Sequence, residues 1–144
     1  VRALLDVNVL VALLDDAHIH HIEATAWLAR NLRHGWASCP LTQNGCLRIL
    51  SLPRYLNRQA PREVAARLAE AVADPSHAFW PDSLSLLDGA RVSWDHVLGT
   101  RQITDVYLLA LAVSHGGRLV TFDRAISLHA VPGAARKHLH VLGA

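Results

Sequence analysis

Three features of the 144-residue chain predict an α/β fold with a short, mostly parallel sheet of about five strands. The first is Ile103 to Arg124, ITDVYLLALAVSHGGRLVTFDR, which reads as one helix followed at once by one strand. The second is the apolar run Val1 to Leu5, which ends at Asp6 and has the character of a central strand of a parallel sheet. The third is the alternation, between those two, of short strand-like runs with helical patterns.

Bulk properties bound the class. Apolar residues make up 51% and charged residues 18%, so a disordered chain is excluded and one domain, 1–144, is expected. No apolar run is long enough to cross a bilayer, and no leader is read at the start, so no membrane contact and a cytoplasmic location are expected. The run Val7 to Leu14 is read as the continuation of the first strand and its loop. Cys39 and Cys46 lack a metal-ligand pattern and read as packing residues. Net charge is only +2, but all the cations except Lys137 are arginines, the better fork for phosphate.

Taken in order, Asp15 to His21 is DDAHIHH. His18, His20 and His21 would scatter round the first turn of a helix from His20 to Arg33 with Ile22, Ala26, Ala29 and Leu32 inward, and no second ligand group at zinc spacing follows. A surface role, or contact with a nucleic-acid phosphate, is the expectation for them. Trp36 to Cys39 is a second strand. Thr42 then suits the cap of a helix bearing Leu47, Ile49 and Leu50, with Gln43 or Asn44 opening toward the carboxyl edge of the sheet. Gly45 costs that helix stability and signals a close approach. Pro61 fits the first position of a helix to about Ala73, with Val64, Leu68 and Val72 inward. Arg48, Arg54, Arg58, Arg62 and Arg67 could line a phosphate-tracking groove with Tyr55 as a stacking ring, against the plainer reading of a solvated helix face. His77 to Trp80 is a third strand. Ser83 to Gly89 and Ser93 to Leu98 read as two short helices, Ala125 to Leu128 as one helical turn, and His138 to Leu142 as an edge strand.

The chemistry lies in three carboxylates. In a parallel α/β unit a helix starts at the carboxyl edge and the next strand returns to it, so Asp105 and Asp123 meet there although far apart in sequence. Asp6, at the end of the first strand, arrives at the same edge, and Asn8 can orient it. Like charges so concentrated raise at least one pKa unless a cation is present. A set of oxygen ligands suits Mg²⁺, with Mn²⁺ as a substitute, and points to phosphodiester hydrolysis. Walker A, dinucleotide and nucleophile-elbow motifs are lacking.

The set LLDVN, TQNGCLRIL, ITDVYLLALA and LVTFD, in this order and spacing, resembles the PIN-domain ribonucleases, and within them the VapC toxins of VapBC toxin–antitoxin systems. The resemblance implies a PIN-like three-layer α/β/α sandwich, metal-dependent cleavage of structured RNA such as tRNA or rRNA, a homodimer, and a VapB-type antitoxin that brings an Arg toward the acidic cleft. It makes Asp6 and Asp105 metal ligands and Asp123 the last acidic position. Asn8, Thr104 and Thr121 become the polar groups that orient them. The family's helical Glu is replaced here by Gln43 or Asn44. An amide cannot share negative charge or act as a base, which predicts weaker activity or a single metal. The competing expectation is therefore a weakened PIN fold that binds RNA or antitoxin without turnover. A phosphoaspartyl phosphatase would need a second Asp where Asn8 stands.

Overall fold

A computed structural model describes residues 1–143 of the chain. Its centre is β1 (Ala3–Leu5), the middle member of a five-stranded sheet with order β3-β2-β1-β4-β5. The other strands are β2 (Trp36–Ser38), β3 (His77–Phe79), β4 (Arg118–Thr121) and β5 (Leu139–Val141), and every pairing is parallel. The helices are α1 (Val7–Leu14), α2 (His21–Asn31), α3 (Pro40–Ser51), α4 (Pro61–Val72) and α5 (Ile103–Ser114).

Side chains alternate along each strand, so the sheet feeds two cores. Leu4, Ala37 and Leu119 pack with α5 on one face. Ala3, Leu5, Trp36 and Val120 pack with buried residues of α1, α2, α3 and α4 on the other, completing the α/β/α sandwich. Strands this short are stable because both faces are covered. The all-round apolarity of α5 has the same cause. Val106 to Ala112 are buried between the sheet and a cover that includes Leu84, Leu86, Val92, Val97 and Val131.

Several local expectations are corrected. Val7–Leu14 is not strand and loop but a helix, started by the Asp6 side chain, which accepts from the Val7 N–H at 2.7 Å. An eight-residue apolar run carries no periodicity that separates strand from buried helix. In α2 the inward residues are Ala24 and Trp27, with Leu28 partly buried, whereas Ile22 is 83% exposed. Thr42 does not precede α3. It lies in the first turn, and its hydroxyl reaches back to accept from the Cys39 N–H at 3.0 Å. Ser83 to Gly89 is irregular, because Ser85 and Asp88 side chains capture the N–H groups of Leu87 and Ala90 and compete with a helix. Of Ser93 to Leu98 only Trp94–His96 forms a 3₁₀ turn, and the turn near residue 125 lies instead at Leu128–Ala130.

Gly45 has the close approach its position signals. A Cβ there would stand 2.6 Å from Val7 Cγ2 and 3.1 Å from Cγ1, at the crossing of α3 over α1. The stiff χ1 of Val7 leaves it little room to turn away. Gly45→Ala gains about 0.5–1 kcal/mol of helix propensity but overpacks at about 1–3 kcal/mol. The expected net loss is about 1–2 kcal/mol, read as a lower urea midpoint; an unchanged or higher midpoint refutes the tight crossing.

Candidate active site

The parallel register of β1 and β4 builds the site. Leu5 stands opposite Val120, and the Asp6 N–H extends the ladder to the Val120 carbonyl at 2.9 Å. Asp6, 4% exposed, and Thr121, fully buried, therefore leave the sheet side by side. The Thr121 hydroxyl donates to Asp6 Oδ2 at 2.7 Å and accepts from Asn8 Nδ2 at 3.2 Å and from the Asp123 N–H at 3.0 Å. One hydrogen and two lone pairs are the full capacity of a hydroxyl, so Thr121 is saturated. Asn8 Oδ1 in turn accepts from the Phe122 N–H at 3.2 Å. Both side-chain atoms of Asn8 thus tie the start of α1 to the end of β4.

Asp105 enters from the first turn of α5, after a 3₁₀ turn at Thr100–Gln102. It lies against Asp123, within hydrogen-bonding reach when one of the two carries a proton, and it feels the charge of Asp6 as well. Burial, that hydrogen bond, and the charges of Asp6 and Asp123 push the Asp105 pKa up to about 8. Burial also raises Asp6, with a smaller push from Asp123, against the bonds from Thr121 and Val7 that favour its charged form. The structure thus brings the three predicted aspartates together at the carboxyl edge of the sheet. Among the described residues, no three His, Cys, Asp or Glu side chains form a ready-made metal cage. An open set of carboxylate oxygens with excess negative charge nonetheless suits Mg²⁺, which keeps several waters and needs only one or two carboxylates.

Asp6 and Asp105 line a cleft of about 470 Å³. Asn8 and Thr104 stand beside them, with His18, Asn44, Arg48 and Tyr55 farther along the wall. Thr104 lies in the first turn of α5. Of the two amides, only Asn44 faces this cleft. Gln43 turns away, donating to Ser38 Oγ at 3.0 Å and lining a groove with Leu68 and Val72. Successive helical residues point about 100° apart, so one position separates the faces. The arginine stripe also divides. Arg48 lines the cleft, whereas Arg58 donates to the Ser51 carbonyl, Arg67 bonds Gln59, and exposed Arg54 and Arg62 are not among its lining. Asp123 lines a second cleft with Gly99, Thr100, Arg101 and Gln102. His18 and Arg101 were not assigned to this edge from sequence. The polar turn just before α5 was the available signal for Arg101. The other two histidines serve the fold: His21 Nδ1 meets the Ala12 carbonyl at 2.8 Å, and His20 stacks on Phe122.

The Asp105 shift has a consequence for stability. The unfolded carboxyl loses its proton near pH 4, while the folded one keeps it to about pH 8, so between those values the folded chain binds more protons and Asp105 destabilises it as pH rises. Asp105→Asn removes this contribution. In metal-free buffer the variant should melt several degrees above the wild type at pH 8 and show no such advantage at pH 4. A melting difference that does not grow across this window would contradict the crowded-carboxylate geometry.

Comparisons with known proteins agree with this architecture. The family model described as PIN domain matches residues 3–132. Ribonuclease VapC44 of Mycobacterium tuberculosis is 48% identical over 141 residues, which cover 98% of this chain and 99% of that protein. Ribonuclease VapC39 of the same organism is 42% identical over 132 residues, covering 91% and 95%. Among solved structures, a chain of VapBC2 from Rickettsia felis bound to a promoter DNA fragment superposes with a TM-score of 0.57 at 12% identity, over 85% of this chain and 89% of that one, a likeness of fold alone. With a matching family model over most of its length and near full-length relatives at this identity, the chain belongs to the PIN-domain VapC family of ribonucleases.

Proposed function

We propose that this chain is an Mg²⁺-dependent endoribonuclease, the toxin of a type II toxin–antitoxin pair, cleaving structured RNA such as tRNA or rRNA. The observation that carries the reading is the meeting of Asp6, Asp105 and Asp123 at one sheet edge, with raised pKa values on the first two. Asp6 and Asp105 would hold the ion, with Mn²⁺ as a substitute, and Asp123 would complete the acidic set. The chemistry the ion supplies when bound is activation of water and neutralisation of charge at the phosphodiester.

The chain's own groups do the rest. Thr121 fixes the Asp6 carboxylate in one rotamer by a bond to Oδ2, while the Val7 N–H holds Oδ1. Asn8 locks the β4 terminus, and so the backbone of Phe122 next to Asp123. Asp123 has Oδ1 engaged by the Ala125 N–H at 2.8 Å, which fixes its carboxyl group against Asp105. Asn44 can orient a water or a phosphate oxygen in the cleft but cannot take up a proton.

For partners we propose a cognate VapB-type antitoxin, a homodimer and a cytoplasmic setting. The family membership and the paired VapBC2 named for the Rickettsia structure support the antitoxin. Among the described residues no helix is long and apolar enough to cross a membrane. One observation favours a second reading, a PIN fold that binds RNA without turnover: the cleft presents the amide of Asn44 in the helix where the family's Glu is expected.

Incubation of purified protein with a structured RNA separates the readings. Cleavage should appear with Mg²⁺ or Mn²⁺ and fall by about 100-fold or more in Asp6→Asn, whose amide offers one oxygen and no charge. Excess chelator should abolish it. Undiminished cleavage in chelator would eliminate the carboxylate–metal mechanism, and tight RNA binding without cleavage in either metal would favour the second reading.

A further inference from the structure

The wall of the cleft away from the carboxylates contains a buried device that the aspartate chemistry does not use. Asp15 closes the C-terminal end of α1, one helix of eight residues and so about 12 Å from the Asp6 end. Its carboxylate is only 3% exposed. It accepts three hydrogen bonds: from the Tyr55 hydroxyl at 2.5 Å, from Asn57 Nδ2 at 2.7 Å and from the Ala17 N–H at 3.0 Å. Burial alone would push its pKa up. The bonds from Tyr55, Asn57 and Ala17, with nearby His18, outweigh burial and hold the carboxyl below the usual range. A buried anion held by neutral donors is a costly way to pin a loop, and it fixes one ring in one place.

That ring is Tyr55. It packs against the core beneath α3 and α4 and also lines the cleft shared by Asp6 and Asp105. Beside it in the same cleft stand Arg48, exposed, and His18. The His20 N–H meets His18 Nδ1 at 3.0 Å, which holds the ring in place. A flat aromatic face with a guanidinium next to it, in one cleft with the carboxylates, matches a nucleobase and its phosphate.

We propose that this part of the cleft is a nucleobase subsite for the single-stranded RNA around the scissile bond, with Tyr55 as the stacking platform and Asp15 as the positioning residue that holds it. The ring is committed to one orientation before RNA arrives, so the loop at residues 52–60 does not have to order on binding. Arg48 takes the neighbouring phosphate, while the arginines outside the cleft do not share in this subsite.

The subsite rests on the ribonuclease reading above, so its test reads binding apart from cleavage. A short fluorescein-labelled single-stranded oligoribonucleotide of mixed sequence is titrated with the full chain in excess EDTA, and anisotropy gives Kd. Tyr55→Ala should weaken binding roughly 5- to 150-fold, the span of one base–aromatic stack. Tyr55→Phe and Asp15→Asn should each weaken it less. The double variant should bind no worse than the weaker single one, because hydroxyl and carboxylate act through one link. With Mg²⁺ present, the losses should fall on KM more than on kcat. Tyr55→Phe keeps the loop link testable if Asp15→Asn does not fold. Equal binding by wild type and Tyr55→Ala overturns the subsite and assigns the ring to packing or to a protein partner, leaving the carboxylate mechanism standing. Additive losses in the double variant overturn the positioning role of Asp15. A wild-type chain that does not bind the oligoribonucleotide overturns the subsite, and the ribonuclease reading falls with it only if structured RNA also stays uncleaved in Mg²⁺ and Mn²⁺.

Discussion

The hydrogen bond from Thr121 to Asp6 is the constraint on which the site depends. It joins the ends of two neighbouring parallel strands, β1 and β4, at the edge where they emerge from the core. Because the same hydroxyl also engages Asn8 and the backbone of Asp123, one buried atom sets the relative position of the N-terminal aspartate and the C-terminal one. A bond of this kind contributes about 1–3 kcal/mol when one partner is charged, but its larger effect is geometric. Without it the Asp6 carboxylate would rotate and the turn after β4 would lose its anchor.

The fold places this acidic edge under electrostatic tension. Burial and mutual repulsion raise Asp6 and Asp105, so the cluster holds on to protons that isolated carboxylates would have lost. A divalent cation would relieve the same stress by displacing them. On the proposed function, stability and metal binding pull in opposite directions at Asp105, a common compromise at active sites. The rest of the molecule offsets the cost. Leu4, Leu5, Leu108, Leu109, Leu111 and Leu119 are all fully buried, each contributing about 1.5–3 kcal/mol of burial energy.

Two clefts border this edge: Asp6 and Asp105 line one with Arg48, Tyr55 and His18, and Asp123 lines the other with Arg101. Each cleft therefore sets a cationic side chain in the same wall as a carboxylate, the combination a phosphate chain would meet.

Much of this was legible in sequence, for a simple reason. Strands that end in a carboxylate, and a helix that begins with one, are local patterns, and the rules of parallel sheets carry each local pattern to the same edge. Asp6, Asp105 and Asp123 could be placed together that way, as could α4, α5 and the sheet's parallel character. What failed were segments whose state depends on what covers them. Val7–Leu14 is a helix because Asp6 caps it and the core on the α1–α4 face of the sheet takes up its apolar residues, and Ile22 faces water because Trp27 and Ala24 take the interior. The choice between Gln43 and Asn44, the division of the arginines, and the clamp of Asp15 on Tyr55 join positions distant in the chain. By itself, the sequence determined the fold class and the meeting of three acids at one sheet edge, because these follow from the alternation of strand and helix, and it carried the family as a resemblance in motif order. Only the tertiary structure decided which neutral and cationic side chains share the cleft with them, because one helical step of about 100° or one loop path moves a side chain to another face.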